Sequence, residues 1–198
     1  MARFAVIRRL ARAVRHAPDR LMHPLRRRAA LRRLIERGIP RSVLFVCYGN
    51  ICRSPYAAAA FAAALPAELR GHVAIGSAGF FGLERPSPEA AVRVAARRGF
   101  DLSSHRSARV TQENAGTADL VVVMDTTQYR AIRRHFGREA ESVLILGDLD
   151  PLSIDTRTIR DPIDQPEEVF EASYARIDRC IRALVGALAE ADRDAPTA

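Results

Sequence analysis

The chain has 198 residues, 48% hydrophobic and 27% charged, enough for one sizeable core and hardly for two full domains. All 31 basic residues are arginine, which excludes a Walker-type phosphate lysine and any Schiff-base lysine. The formal charge of +8 sits at one end: residues 1–40 hold 12 Arg against Asp19 and Glu36, while residues 41–198 hold 19 Arg against 21 acids.

The basic leader, residues 1–40, predicts an amphipathic helical extension set before a second unit, residues 41–198. Phe4, Ile7, Leu10 and Val14 form an apolar stripe between arginines. A second helical stretch follows Pro24, with Leu31, Leu34 and Ile35, and Gly38, Ile39 and Pro40 stop it. One reading is a solvated or loosely docked appendage. Another is a surface helix drawn to anionic lipid or to an acidic partner. A transit peptide is a third, against which the absence of serine counts.

From Ser42 onward, short apolar runs alternate with helical stretches. Strands are predicted at 42–46, 72–79, 119–125 and 142–148, and helices at 54–65, 87–99, 126–137 and from about Glu167 to Glu190. Ser54 is expected as an N-cap, with Pro55 opening the helix. The last residues, "RDAPTA", read as a frayed tail. This alternation implies an α/β fold with a parallel sheet, whose ligands sit beyond the carboxyl ends of the strands. Cys47, Ser77 and Asp125 fall there, Asp125 as a cap for the next helix. The longest apolar runs are too short to cross a bilayer. Three scattered cysteines make no disulfide framework and favour a reducing cytosol. Cys47 and Cys52 lack a second pair of ligands, so no metal site is expected.

The densest signal is "VLFVCYGNICRSP", Val43 to Pro55. A strand ends at a thiol, a turn with one glycine follows, and Arg53 stands where a helix begins. Such a turn can aim the amides of Tyr48, Gly49, Asn50, Ile51, Cys52 and Arg53 at one point, to which the helix adds its positive end. Arg53 supplies a planar fork for two phosphate oxygens. The place binds a dianion and favours the thiolate of Cys47. Gly49 permits the tight path, Asn50 suits a left-handed turn, and the Ser54 hydroxyl can steady the sulfur as a leaving group. A thiolate in a phosphate cradle is a nucleophile for phosphorus. The alternative, an inert buried Cys47 with Arg53 in a surface ion pair, leaves the consecutive order of strand, turn, arginine and proline unexplained.

This loop resembles the active-site loop of the low-molecular-weight protein tyrosine phosphatases. The similarity continues through "SAG" at 77–79, "GFDLSSHRSARVT" at 99–111, "DLVVVMD" at 119–125, "LILGDLDP" at 144–151 and "RDPIDQPEEVFEASYARIDRCI" at 160–181. The leader has no counterpart in that family. The resemblance implies an open four-stranded parallel sheet of flavodoxin-like order 2-1-3-4 with helices on both faces. It implies Cys47 as nucleophile, Arg53 as phosphate clamp and Asp161 as the general acid, then base, of a cysteinyl-phosphate mechanism. Tyr48, Gly49, Asn50, Ile51, Cys52 and Ser54 would surround the phosphate, supported by Ser77 and His105. No metal or other cofactor is called for, because Arg53 and the amides stabilise the charge. The substrate would be a phosphotyrosine protein, a bacterial tyrosine kinase among the candidates. The setting would be cytoplasmic, or peripheral to the inner membrane surface, with no nucleic acid expected.

Three rivals share the scaffold. Arginine phosphatases of the family carry threonine where this chain has Ile51, which favours phosphotyrosine here. Thiol-dependent arsenate reductases need two further cysteines, and only Cys180 remains, in a helix that buries it. A silent phosphate-binding scaffold would not need Cys47, Arg53 and Asp161 together. Cys52 reads as packing beneath the loop or, by the resemblance, as an oxidation partner for Cys47. Many relatives follow the acid's Asp-Pro with aromatics, where this chain has Ile163 and Asp164. Tyr48, Phe80 and Phe81 are then the candidates for the missing aromatic wall.

Overall fold

Three of the four apolar runs are short and buried almost throughout, which suits a parallel sheet covered on both faces. In the computed structural model, which describes residues 2–194 and the side chains of 17–193, four strands pair in parallel: β1 (Ser42–Cys47), β2 (Ala74–Gly79), β3 (Leu120–Val123) and β4 (Val143–Ile145). Their order is β2-β1-β3-β4, as expected. Phe45 lies opposite Ser77 and Val122, and Val122 opposite Leu144.

Alternation along the strands divides the core in two. Val43, Phe45, Cys47, Leu120, Val122 and Leu144 face one side. Helices α2 (Arg53–Ala64), α3 (Glu89–Arg97) and α6 (Glu167–Asp194) cover it, joined by the end of α1 (Ala2–Arg37). Leu44, Val46, Val121, Val123, Val143 and Ile145 face the other side, under the short α4 (Gln112–Ala115) and α5 (Thr126–Phe136).

Several boundaries differ from the sequence reading. Helix α1 runs unbroken through Pro18 and Pro24 instead of restarting after Pro24. An interior proline destabilises a helix by about 3 kcal/mol, and tertiary docking offsets this. Ala30 and Leu34 enter the core, Leu31 and Ile35 pack beside them, and His23 Nε2 donates to the Asp150 carbonyl at 2.9 Å. The side chains of Phe4, Ile7, Leu10 and Val14 lie outside the described residues, as do residues 195–198 of the expected tail.

Ser54 is not the N-cap of α2; Cys52 holds that position, without a side-chain cap, because the Ser54 hydroxyl turns to the sulfur of Cys47. Helix α3 begins at Glu89, after Pro88. Strand β4 stops at Ile145, and Leu146–Leu149 coil into a 3-10 turn. Asp125 caps α5 by accepting from the Gln128 amide, as expected.

Candidate active site

Strand β1 delivers Cys47 to its carboxyl end, and the chain folds back around the sulfur before entering α2. Cys47 Sγ accepts from the Asn50 amide at 3.3 Å and from Ser54 Oγ at 3.1 Å. Both groups point a donor at the sulfur.

Asn50 holds the loop's shape. Its φ of +51° is left-handed, a conformation asparagine tolerates because its side chain bonds locally. Its Nδ2 donates to Ser54 Oγ (2.8 Å) and Ser77 Oγ (2.9 Å), while its Oδ1 accepts from the Ala108 amide (2.8 Å). His105 Nε2 donates to the Asn50 carbonyl at 2.7 Å. Ser77 and His105 thus both hydrogen-bond to Asn50. Sequence reasoning missed Tyr174, whose hydroxyl donates to the Cys52 carbonyl at 3.2 Å and whose ring stacks on Tyr56 at 3.8 Å. The signal was too remote to read, since Tyr174 lies on α6.

Arg53 is 3% exposed. Its Nη1 donates to the Ile159 carbonyl at 3.1 Å, and its Nη2 pairs with Asp161 Oδ2. Ile159 is anchored in turn by its amide on the Met124 carbonyl, so the end of β3 helps to position the loop that carries Asp161. Burial, then the charges of Cys47 and Asp161, push the Cys52 thiol far above its ordinary pKa. Cys47 and Cys52 are both free. Cys180 is fully buried in the core, and burial pushes its thiol up to about 12.

Above the sulfur opens a cavity of ≈ 230 Å³. Cys47, Gly49, Ile51 and Cys52 form its floor, Asp161 and Ile163 one side, and Tyr48, Phe81 and Arg85 the mouth. Tyr48 and Phe81 lie with ring centroids 4.6 Å apart. Phe80 does not belong to this wall: it packs beside the opposite core, against the Leu44 and Val46 side. The amides of Phe80 and Phe81 both donate to the Tyr48 carbonyl, which sends the two rings to different sides. Arg85 was not anticipated; only the return of its loop brings it to the mouth. Ile163 occupies the place beside the acid where an aromatic was missing, and Asp164 is exposed with φ +56°.

A strand-turn-helix cradle for an anion, with a thiol at its floor and a carboxylate paired to its arginine, defines a cysteine-dependent phosphoryl-transfer class. Residues 42–194 match the family model for low molecular weight phosphotyrosine protein phosphatase, and the chain belongs to that family. The probable low molecular weight protein-tyrosine-phosphatase EpsP of Ralstonia solanacearum is 37% identical over 146 residues, covering 73% of this chain and 94% of the relative. The arginine phosphatase YwlE of Geobacillus stearothermophilus superposes with a TM-score of 0.70 at 28% identity, covering 80% of this chain and 99% of that one. The tyrosine phosphatase Wzb of Escherichia coli K30, solved with sulphate, superposes with a TM-score of 0.66 at 27% identity, covering 75% and 98%.

Proposed function

We propose that the chain hydrolyses phosphotyrosine in proteins through a cysteinyl-phosphate intermediate, with residues 41–198 as the phosphatase unit and 1–40 as a basic extension to it. The observation that carries this reading is one cavity with an aromatic mouth, lined by Cys47 and by Asp161, whose carboxylate pairs with the buried Arg53 beside it. The Cys47 thiolate attacks phosphorus; the S–P bond forms as the P–O bond to the ring breaks, and Asp161 gives its proton to the departing phenolate. Water then attacks phosphorus, the S–P bond breaks, and Asp161 takes the water's proton. Arg53 and the loop amides bind the phosphoryl oxygens throughout.

The pairing of Arg53 with Asp161 fits this sequence of events. A phosphate dianion competes for Arg53 Nη2, and its arrival frees Asp161 to turn toward the leaving oxygen. The Tyr48–Phe81 pair favours a flat aryl group. The likeness to an arginine phosphatase supports phosphoarginine as the second reading, against which Ile51 stands in the cavity floor. A tyrosine kinase or one of its targets is the substrate class, met at the cytoplasmic face of a membrane toward which the leader's charge draws the protein.

The deciding experiment compares wild type, Cys47→Ser and Asp161→Ala on p-nitrophenyl phosphate and on phosphotyrosine and phosphoarginine peptides, with chelator present. Cys47→Ser should be inactive, and Asp161→Ala should lose about 10²–10⁴ in kcat. Full activity in Cys47→Ser would overturn the mechanism, and preference for phosphoarginine would exchange the two readings.

A further inference from the structure

Away from the catalytic cavity, a cleft of ≈ 290 Å³ lies between α1 and the segment Pro151–Ser153 that follows β4. Its helical wall is built from positions 20, 23, 24, 27 and 28, which recur once per turn and so form one ridge. Three of these are arginines. Arg20 is paired with Asp155 at 2.5 Å, and Arg27 gives Nε to the Leu149 carbonyl at 3.3 Å. Arg28 is exposed and has no acceptor among the described residues. His23, 5% exposed, spends Nε2 on the Asp150 carbonyl and keeps Nδ1 buried with no partner. Three guanidiniums against one carboxylate call for an anion.

The rim narrows the choice of anion. Leu21 is 77% exposed and Leu25 58%, each one residue, or about 100° of helix, beyond the cleft ridge on the solvent side. Leu152, on the opposite lip, is 55% exposed, and Met22 continues the patch at 47%. A soluble phosphate gains nothing from an apolar rim. A lipid surface offers a phosphate and, directly beneath it, an apolar boundary for such side chains.

We propose that this cleft seats the phosphate headgroup of an anionic lipid, with Arg20, Arg27 and Arg28 around the phosphate and Leu21, Leu25 and Leu152 entering the headgroup boundary. It rests on the reading of the leader as membrane-seeking and locates the contact. Residues 41–198, with 19 Arg against 21 acids, offer no comparable attraction.

The test floats the full-length chain on vesicles of phosphatidylcholine alone and with added phosphatidylglycerol, with p-nitrophenyl phosphate turnover and Tm as controls. Wild type should float only with phosphatidylglycerol, less at high salt. One basic residue near such a surface is worth roughly fivefold in partitioning, so Arg28→Glu should weaken it about 25-fold. Leu152→Asp, outside the leader, should weaken it at least tenfold, roughly the loss of one leucine from an apolar boundary. Turnover should be unchanged in both. If both variants float like wild type, the cleft is overturned while the leader's attraction stands. If wild type does not float, both fall, and the phosphatase reading is untouched. If inorganic phosphate raises the Tm of Cys47→Ser in an Arg28-dependent way without vesicle binding, the cleft takes a soluble anion and the lipid assignment is overturned.

Discussion

A methyl group on Gly79 would stand 2.7 Å from the Asn50 amide nitrogen and 2.8 Å from the Tyr48 carbonyl, both backbone atoms with nowhere to retreat. The last residue of β2 is therefore the bed on which the phosphate-binding loop lies. Gly79→Ala should destabilise the protein by about 1–3 kcal/mol and, by displacing the Asn50 amide from the sulfur, lower turnover at least tenfold. Urea unfolding and p-nitrophenyl phosphate kinetics read the two effects separately; unchanged kinetics would show that the loop does not depend on this contact. The neighbouring aromatics part company in the same way. Phe81→Ala should raise KM for aryl phosphates several-fold, the value of about 1 kcal/mol of ring contact, whereas Phe80→Ala should leave KM alone and reduce stability. At this scale Cys47, Asn50, Arg53 and Ser54 were legible, because the chemistry needs them within eight consecutive positions. Phe80 and Phe81 were not separable, since which of two adjacent rings faces the cavity depends on how the backbone turns after β2.

Helix α6 is held to the sheet end by a buried carboxylate as well as by its apolar face. Asp150, 1% exposed, accepts from Arg176 Nε at 3.0 Å and from Arg179 at 2.9 Å through both oxygens. Burial pushes its carboxyl pKa up, but the Arg179 hydrogen bonds, the Leu152 amide and the charges of Arg179 and Arg176 outweigh it and hold the group below the ordinary carboxylate range. A folded-state pKa below the unfolded value, about 3.9, contributes stability that is fully present above that value. It is lost as pH falls through the lower folded value. Asp150→Asn should cost about 3–5 kcal/mol at neutral pH by stranding two guanidiniums, and should flatten the acid limb of the stability curve. Denaturant midpoints from pH 2 to pH 6 check this; parallel wild-type and variant curves would refute it. The same cluster takes Arg176 to the carbonyls of Thr156 and Thr158, so α6 braces the segment leading to Asp161. None of this could be read from spacing, because the partners are 26 and 29 residues apart.

At the scale of the molecule, the question is whether the arginine-rich leader stands apart from the fold. Leu34 is 6% exposed and Ala30 2%, both inside the core shared with α6 and the sheet. Leu34→Ala should therefore lower stability by about 2–5 kcal/mol, measured by thermal or urea unfolding. A change under about 0.5 kcal/mol would mean that this end of the helix is only loosely attached. The strand-helix alternation, the parallel sheet and the cradle at the end of β1 were determined by the sequence alone, because period, turn residues and helix starts are local properties. Three features were decided only by the tertiary structure: α1 as one docked helix despite two prolines, Ser54 turned from capping to the sulfur, and the partners of Asp150. The first and third depend on atoms far apart in the chain, and the second on how the loop folds back on its own strand end; in each, burial and hydrogen bonding outweigh the local preferences that a sequence displays.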